Sequence, residues 1–191
     1  MKNLKPILVV VLLLITFTAQ SANLHTASDN SVELLKSSRF QVGYLGSYYN
    51  YINKTIFISG YLIQHTYCLK FSEKTGVGFG MGLNKYEQQT FAPIYIELER
   101  CLSDRFFYNF QSGYAFGWKK NGEYFPEYSL NGGFYGGAGL GYRFRLNELF
   151  YSYLHLAYRY QHATLTSDSF HTEVLNFNSF AISIGIMLEK W

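Results

Sequence analysis

The chain has 191 residues, 19% of them aromatic and only 15% charged, with a formal net charge of +3. So many aromatic side chains exclude a disordered chain, and two Cys with no Gly-X-Y period exclude a disulfide scaffold and a collagen. The small positive balance does not argue for a nucleic-acid partner.

In chain order, Met1-Lys2-Asn3-Leu4-Lys5 is a short basic start. The run from Ile7 to Ile15 is wholly apolar, and Ala19-Gln20-Ser21-Ala22 offers the small residues that a signal peptidase needs. This predicts a signal peptide over 1–22. The run is too short for the roughly 20-residue helix that crosses a bilayer. No later apolar run approaches that length, so no transmembrane helix is expected. Residues 23–38 are polar and read as a periplasmic N-terminal tail, in which Asn30-Ser31 is placed to cap one or two helical turns.

From 39 to 191 apolar residues recur at every second position, the period of strands with one apolar face. Phe40, Val42, Tyr44 and Tyr48 alternate with Gln41, Gly43 and Ser47. Val77, Phe79, Met81 and Leu83 alternate with four glycines. Ile94, Ile96 and Leu98 alternate with Tyr95, Glu97 and Glu99. Phe180, Ile182, Ile184, Ile186 and Leu188 alternate with Ser179, Ala181, Ser183 and Gly185. Four further stretches behave alike, making eight strands. Short turns (Ser72–Thr75, Leu102–Arg105, Leu146–Glu148) alternate with longer links at 49–55, 84–93, 119–132 and 162–175. That rhythm predicts an all-β, eight-stranded, antiparallel up-and-down barrel with one tight-turned and one looped end.

Volume decides which face is outside. The apolar faces carry roughly forty mostly large side chains, and an eight-stranded barrel has room only for its own modest inward residues. The apolar face therefore points outward, into lipid, and closure pairs every strand edge as hydrocarbon requires. A soluble, secreted, lipocalin-like ligand-binding barrel is the alternative with the faces exchanged. Aromatics at strand ends, such as Tyr48, Phe71, Phe106, Phe144 and Phe150, suit the two membrane interfaces.

On this architecture, on segments such as Gly139-Leu140-Gly141-Tyr142-Arg143-Phe144, and on a terminal aromatic, Trp191, residues 39–191 resemble the small eight-stranded outer-membrane barrel proteins of Gram-negative bacteria. The resemblance implies the bacterial outer membrane, contact with outer-membrane lipid, a monomer, and no cofactor.

Six residues on the inward face form a candidate polar network in the lumen: Glu97, Glu99, Arg143, Arg145, Arg159 and His155. Buried charges must pair, so these side chains are expected to plug the barrel. His162 and Thr164 lie past the looped end of the seventh strand. There Gln161-His162-Ala163-Thr164 also resembles the outer-membrane lipid A deacylases, which carry a His-x-Ser pair at this place and a downstream Glu. That resemblance implies His162 as base, Thr164 in the nucleophile's place and Glu173 as acid, since a hydroxyl nucleophile needs an oriented base. Leu165 stands where those enzymes carry Asn.

Cys68 and Cys101 fall on inward positions two strands apart, about 9–10 Å at ordinary strand spacing. This exceeds the roughly 7 Å that a disulfide allows, so free thiols are expected. No His/Cys pattern has metal-ligand spacing. The long links, rich in Tyr and Asn, suit contact with extracellular protein or glycan. The preferred reading is a non-enzymatic surface-interaction or envelope-supporting barrel, with a lipid A deacylase-like esterase as its rival.

Overall fold

The computed structural model describes residues 35–51, 54–72, 74–119, 128–167 and 172–190. The expected leader, most of the expected tail and Trp191 lie outside them. The described strands are β1 (Leu35–Tyr51), β2 (Lys54–Lys70), β3 (Thr75–Tyr86), β4 (Gln89–Cys101), β5 (Phe106–Lys119), β6 (Tyr128–Asn131), β7 (Gly133–Arg145), β8 (Phe150–Ser167) and β9 (Thr172–Lys190). β1 begins at Leu35, so the barrel takes in the last four residues of the expected tail, 35–38.

All neighbours pair antiparallel in chain order, and pairing of β1 with β9 closes the cylinder. β6 and β7 are one barrel strand interrupted at Gly132, because both lie against β8. Asn131 faces Thr164 and Tyr135 faces Gln161, so four steps on one side match three on the other. This is a β-bulge. It switches the inward set from Leu130 to Gly133 and Tyr135. Gly132 tolerates the kink because a Cβ there would overlap the carbonyl of Ala115. The cylinder thus has eight strands, closed by β1 on β9, with β6 held on β8.

The three tight turns share one local cause. In each, a short polar side chain accepts hydrogen bonds from backbone N–H groups further along: Ser72 from Thr75 (3.0 Å), Ser103 from Phe106 (3.1 Å), and Asn147 from Leu149 (2.9 Å) and Phe150 (2.8 Å). Ser and Asn at these places mimic a backbone turn and hold the hairpin.

Following the register once around the barrel runs Ser38, Tyr67, Phe79, Ile96, Ser112, Gly136, Tyr160, Asn178 and back to Tyr48. The path returns ten residues further along β1 than it began. At about 3.3 Å per residue and 4.7 Å per strand this stagger tilts the strands by about 40°.

The two faces separate as the alternation demands. Ile96, Leu140 and Phe180 are more than 60% exposed, whereas Glu97 and Glu99 on the opposite face are 1% exposed. An exterior this wide and apolar is incompatible with water, so the lipocalin-like arrangement is overturned: its ligand-lining face is the outside of this wall. The inward face, however, is less uniformly small and polar than the alternation implies. Tyr86, Phe91, Tyr95, Phe107, Tyr135, Tyr153 and Phe177 also point inward and are buried. Glycines make room for them. A Cβ at Gly141 would overlap the Phe107 ring, and one at Gly80 the Tyr95 ring.

The looped end also differs from expectation. Strands continue through most of the links read as 49–55, 84–93 and 162–175, and β6 lies within the link read as 119–132. β3 and β4 are joined by Glu87-Gln88 alone, and β8 and β9 run for 18 and 19 residues. About 9–11 tilted residues cross a bilayer. The surplus projects beyond it as paired wall, because backbone groups gain by pairing in water as well as in lipid.

Ile96 lies near mid-height on the lipid face, so Ile96→Arg is expected to destabilise the barrel by about 2–4 kcal/mol, read from urea unfolding in lipid vesicles. Gly141→Ala is expected to cost about 1–3 kcal/mol through overpacking. Combining it with Phe107→Leu recovers most of that loss in the same assay, as two residues in contact should.

Candidate functional site

The lumen is filled in two layers. The layer toward the tight turns is ionic. β1 brings Arg39, β2 Lys70, β4 Glu97 and Glu99, β7 Arg143 and β9 Glu189, all on inward positions. Arg39 uses Nη1 toward Glu99 Oε2 at 2.6 Å and Nη2 toward Glu97 Oε1. Arg143 uses Nη2 toward Glu99 Oε1 at 2.5 Å and Nη1 toward Glu189 Oε1 at 3.3 Å. Lys70 completes the chain at Glu189. Glu99 therefore sits between two guanidinium groups, and both of those lie over the Phe107 ring, at 5.3 Å for Arg39 and 4.7 Å for Arg143.

A second, neutral set of hydrogen bonds continues the network toward the looped end. Asn109 and Gln111 donate to Glu97 Oε2 at 2.7 and 2.8 Å. Tyr135 donates to Gln111 Oε1 at 3.0 Å and accepts from Gln64 and Arg159 at 3.2 and 2.8 Å. Gln41 donates to Gln64 Oε1 at 2.6 Å. His155 Nε2 lies 3.0 Å from Asn109 Oδ1. Beyond this belt comes the aromatic layer. Phe177 stacks on Tyr49 and Tyr86 (centroids 5.0 and 5.7 Å) and meets Phe91 edge-on at 5.1 Å.

Five of the six lumen residues expected from the sequence are buried here: Glu97, Glu99, Arg143, Arg159 and His155. Arg145 is not. It is exposed at the tight-turn mouth, where its Nε reaches Asn147 O at 3.3 Å, because β7 ends at that residue. Three members of the ionic layer were missed. Lys70 and Glu189 share inward parity with Gln64 and Ser183 and were legible on that ground. Arg39 lay on the boundary drawn between tail and barrel.

The expected His162, Thr164 and Glu173 are not brought together. On β8 and β9 the inward positions are odd-numbered: Gln161, Ala163, Leu175 and Phe177 are buried. His162 and Thr164 therefore face out, while Glu173 faces in, opposite Leu165. The partner of His162 is Asn176, with Nδ1 to Oδ1 at 3.0 Å, and Tyr160 donates to the same oxygen at 2.7 Å. A hydroxyl, a base and an orienting acid cannot cooperate through the barrel wall.

Cys68 and Cys101 are both free thiols. No group of three or more His, Cys, Asp and Glu side chains is placed to hold a metal among the described residues.

No protein-family model and no curated protein matches the chain. Solved structures do. The outer membrane protein OprG of Pseudomonas aeruginosa is similar over 85% of this chain and 99% of its own, at 11% identity and a TM-score of 0.50. Ail, the attachment invasion locus protein of Yersinia pestis, is similar over 82% and 99%, at 12% identity and 0.50. AlkL, solved in lipid bilayers, is similar over 87% and 96%, at 12% identity and 0.56. Together with the closed cylinder and its apolar exterior, these likenesses show the fold: the chain is a small eight-stranded transmembrane β-barrel of the outer-membrane type.

Proposed function

We propose that this protein resides in the bacterial outer membrane as a monomer with a plugged lumen, and that it works through its surface, in contact or in envelope support. The observation that carries the reading is the set of ionic ties across the lumen. Arg39 and Arg143, from strands on different sides of the cylinder, converge on Glu99. Salt bridges, the amide belt and the aromatic layer follow one another along the lumen, and this succession supports a plugged barrel. A barrel so closed offers its outside and its rim.

The rim supports surface contact. Outward positions of β6, β8 and β9 carry Ser129, Asn131, Thr164, Thr166, Asn176 and Asn178, which are neutral and hydrogen-bonding. Asn131 donates to Thr166 Oγ1 at 3.4 Å, and Tyr158 donates to Asn178 Oδ1 at 2.5 Å. Neutral hydroxyls and amides beside tyrosines suit protein or glycan. Ail, of the same fold, has been crystallised with the heparin analogue sucrose octasulfate.

Bacteria displaying the protein are expected to adhere to glycan- or matrix-coated surfaces, or to resist detergent, better than cells without it. The reading fails if neither property changes. Purified protein is expected to give no steady single-channel current in planar bilayers, and a stable conductance would refute the plugged lumen. Lipid A mass spectra are expected to be the same with and without the protein. Loss of an acyl chain that disappears in His162→Ala would establish the enzymatic rival instead. Glu99→Gln strips both guanidinium groups of a shared carboxylate and is expected to cost about 3–5 kcal/mol, measured by urea unfolding in vesicles.

A further inference from the structure

Arg159 is among the largest fully buried side chains of the described residues, 2% exposed. The other buried cations each meet a carboxylate: Arg39 and Arg143 meet Glu99, and Lys70 meets Glu189. Arg159 makes no ion pair with any described residue. Its Nη1 donates to the Tyr135 hydroxyl at 2.8 Å, while Nε and Nη2 have no acceptor. Tyr135 offers nothing more, since its hydroxyl also accepts from Gln64 and donates to Gln111.

A second group nearby is in the same condition. Gln161 faces inward two residues along β8, is 3% exposed, and its Nε2 also lacks an acceptor. Arg159 Nε and Nη2 and Gln161 Nε2, from inward positions two residues apart on β8, thus lack an acceptor; Arg39 Nε and Arg143 Nε lack one too, but those two guanidinium groups are ion-paired. Across the strands, Gly137 and Ser179 stand beside Arg159, and Tyr135 and Phe177 beside Gln161. Gly137 presents no side chain there.

The charges point the same way. The buried inward cations are Arg39, Lys70, Arg143 and Arg159, and the buried inward carboxylates are Glu97, Glu99 and Glu189. Among these cations Arg159 is the one with no carboxylate in contact among the described residues. Glu173, the remaining inward carboxylate of the described strands, lies opposite Leu165, and its Oε2 is also buried without a partner. It stands six residues along β9 from Ser179, about 20 Å at ~3.3 Å per residue. Water would receive the hydrogens but would not offset a buried charge. The site lies between the aromatic layer and the ionic layer.

We propose that Arg159 and Gln161 bind one small inorganic anion, of chloride size, enclosed in the lumen as the barrel closes. The ion accepts from Arg159 Nε and Nη2 and from Gln161 Nε2, and gives the Arg159 guanidinium a counter-charge at contact distance. It is a structural ion, inaccessible once the barrel has formed.

The full chain is refolded into vesicles at one ionic strength in sodium chloride, sodium bromide or sodium gluconate, so that general screening stays constant. Gluconate, a bulky organic anion, is the reference. The expected result is a melting temperature a few degrees higher in chloride or bromide than in gluconate, as a ligand of the folded state alone produces. That difference disappears in Arg159→Met. Gln161→Leu, which keeps the cation, raises the bromide concentration at half-effect about tenfold and keeps the test open if Arg159→Met does not fold. Crystals of bromide-refolded protein are expected to show an anomalous peak within hydrogen-bond distance of Arg159 and Gln161. Equal melting temperatures in all three salts, a water at the site in place of a halide, or halide dependence retained in Arg159→Met would each overturn the proposal.

Discussion

Hydrocarbon accepts no hydrogen bonds, and that single fact organises this molecule. Every backbone N–H and C=O within the bilayer must find a partner in the protein itself. A cylinder whose ninth described strand pairs with its first satisfies this. Once the cylinder is closed, the outward face is committed to apolar side chains, and all polar groups of the spanning region are confined to a narrow interior. There they satisfy one another. The ionic layer, the amide belt and the tyrosine hydroxyls follow from that confinement.

The interior is filled by complementary sizes. Long side chains enter where the facing strand offers glycine: Phe107 lies against Gly141, and Tyr95 against Gly80. The stagger of ten residues decides which side chains share a height. It brings Arg39 of β1 level with Glu97 and Glu99 of β4, residues that stand far apart in sequence. Packing and charge pairing are therefore both consequences of register.

Much of this was legible before any coordinates. Alternation named the outward face strand by strand, and the short turns with Ser72, Ser103 and Asn147 fixed one end of the barrel. The buried Glu97, Glu99, Arg143, Arg159 and His155 followed from parity. What escaped has physical causes. Alternation reports which side a residue faces but not the height it reaches, so Arg145, at the end of β7, passed for a lumen residue. Links at the looped end were read as loops because apolar alternation fades beyond the bilayer, although strands go on pairing there. Inward aromatics such as Phe91, Phe107 and Phe177 were hidden because Phe and Tyr serve either face. The deacylase-like His162, Thr164 and Glu173 matched in spacing alone, and spacing of odd against even positions puts Glu173 on the wrong side of the wall.

The cross-lumen ties have a mechanical corollary. They behave like spokes between opposite parts of a hoop, loading several seams at once. Unzipping β1 from β9 would also strain the grip of Arg39 on Glu97 and Glu99, and drawing β4 outward would pull on Arg143 and β7 as well. Such a wheel resists opening sideways at any one joint. Force applied to its rim by a bound partner is spread through the whole cylinder and does not collect in the strand that was touched.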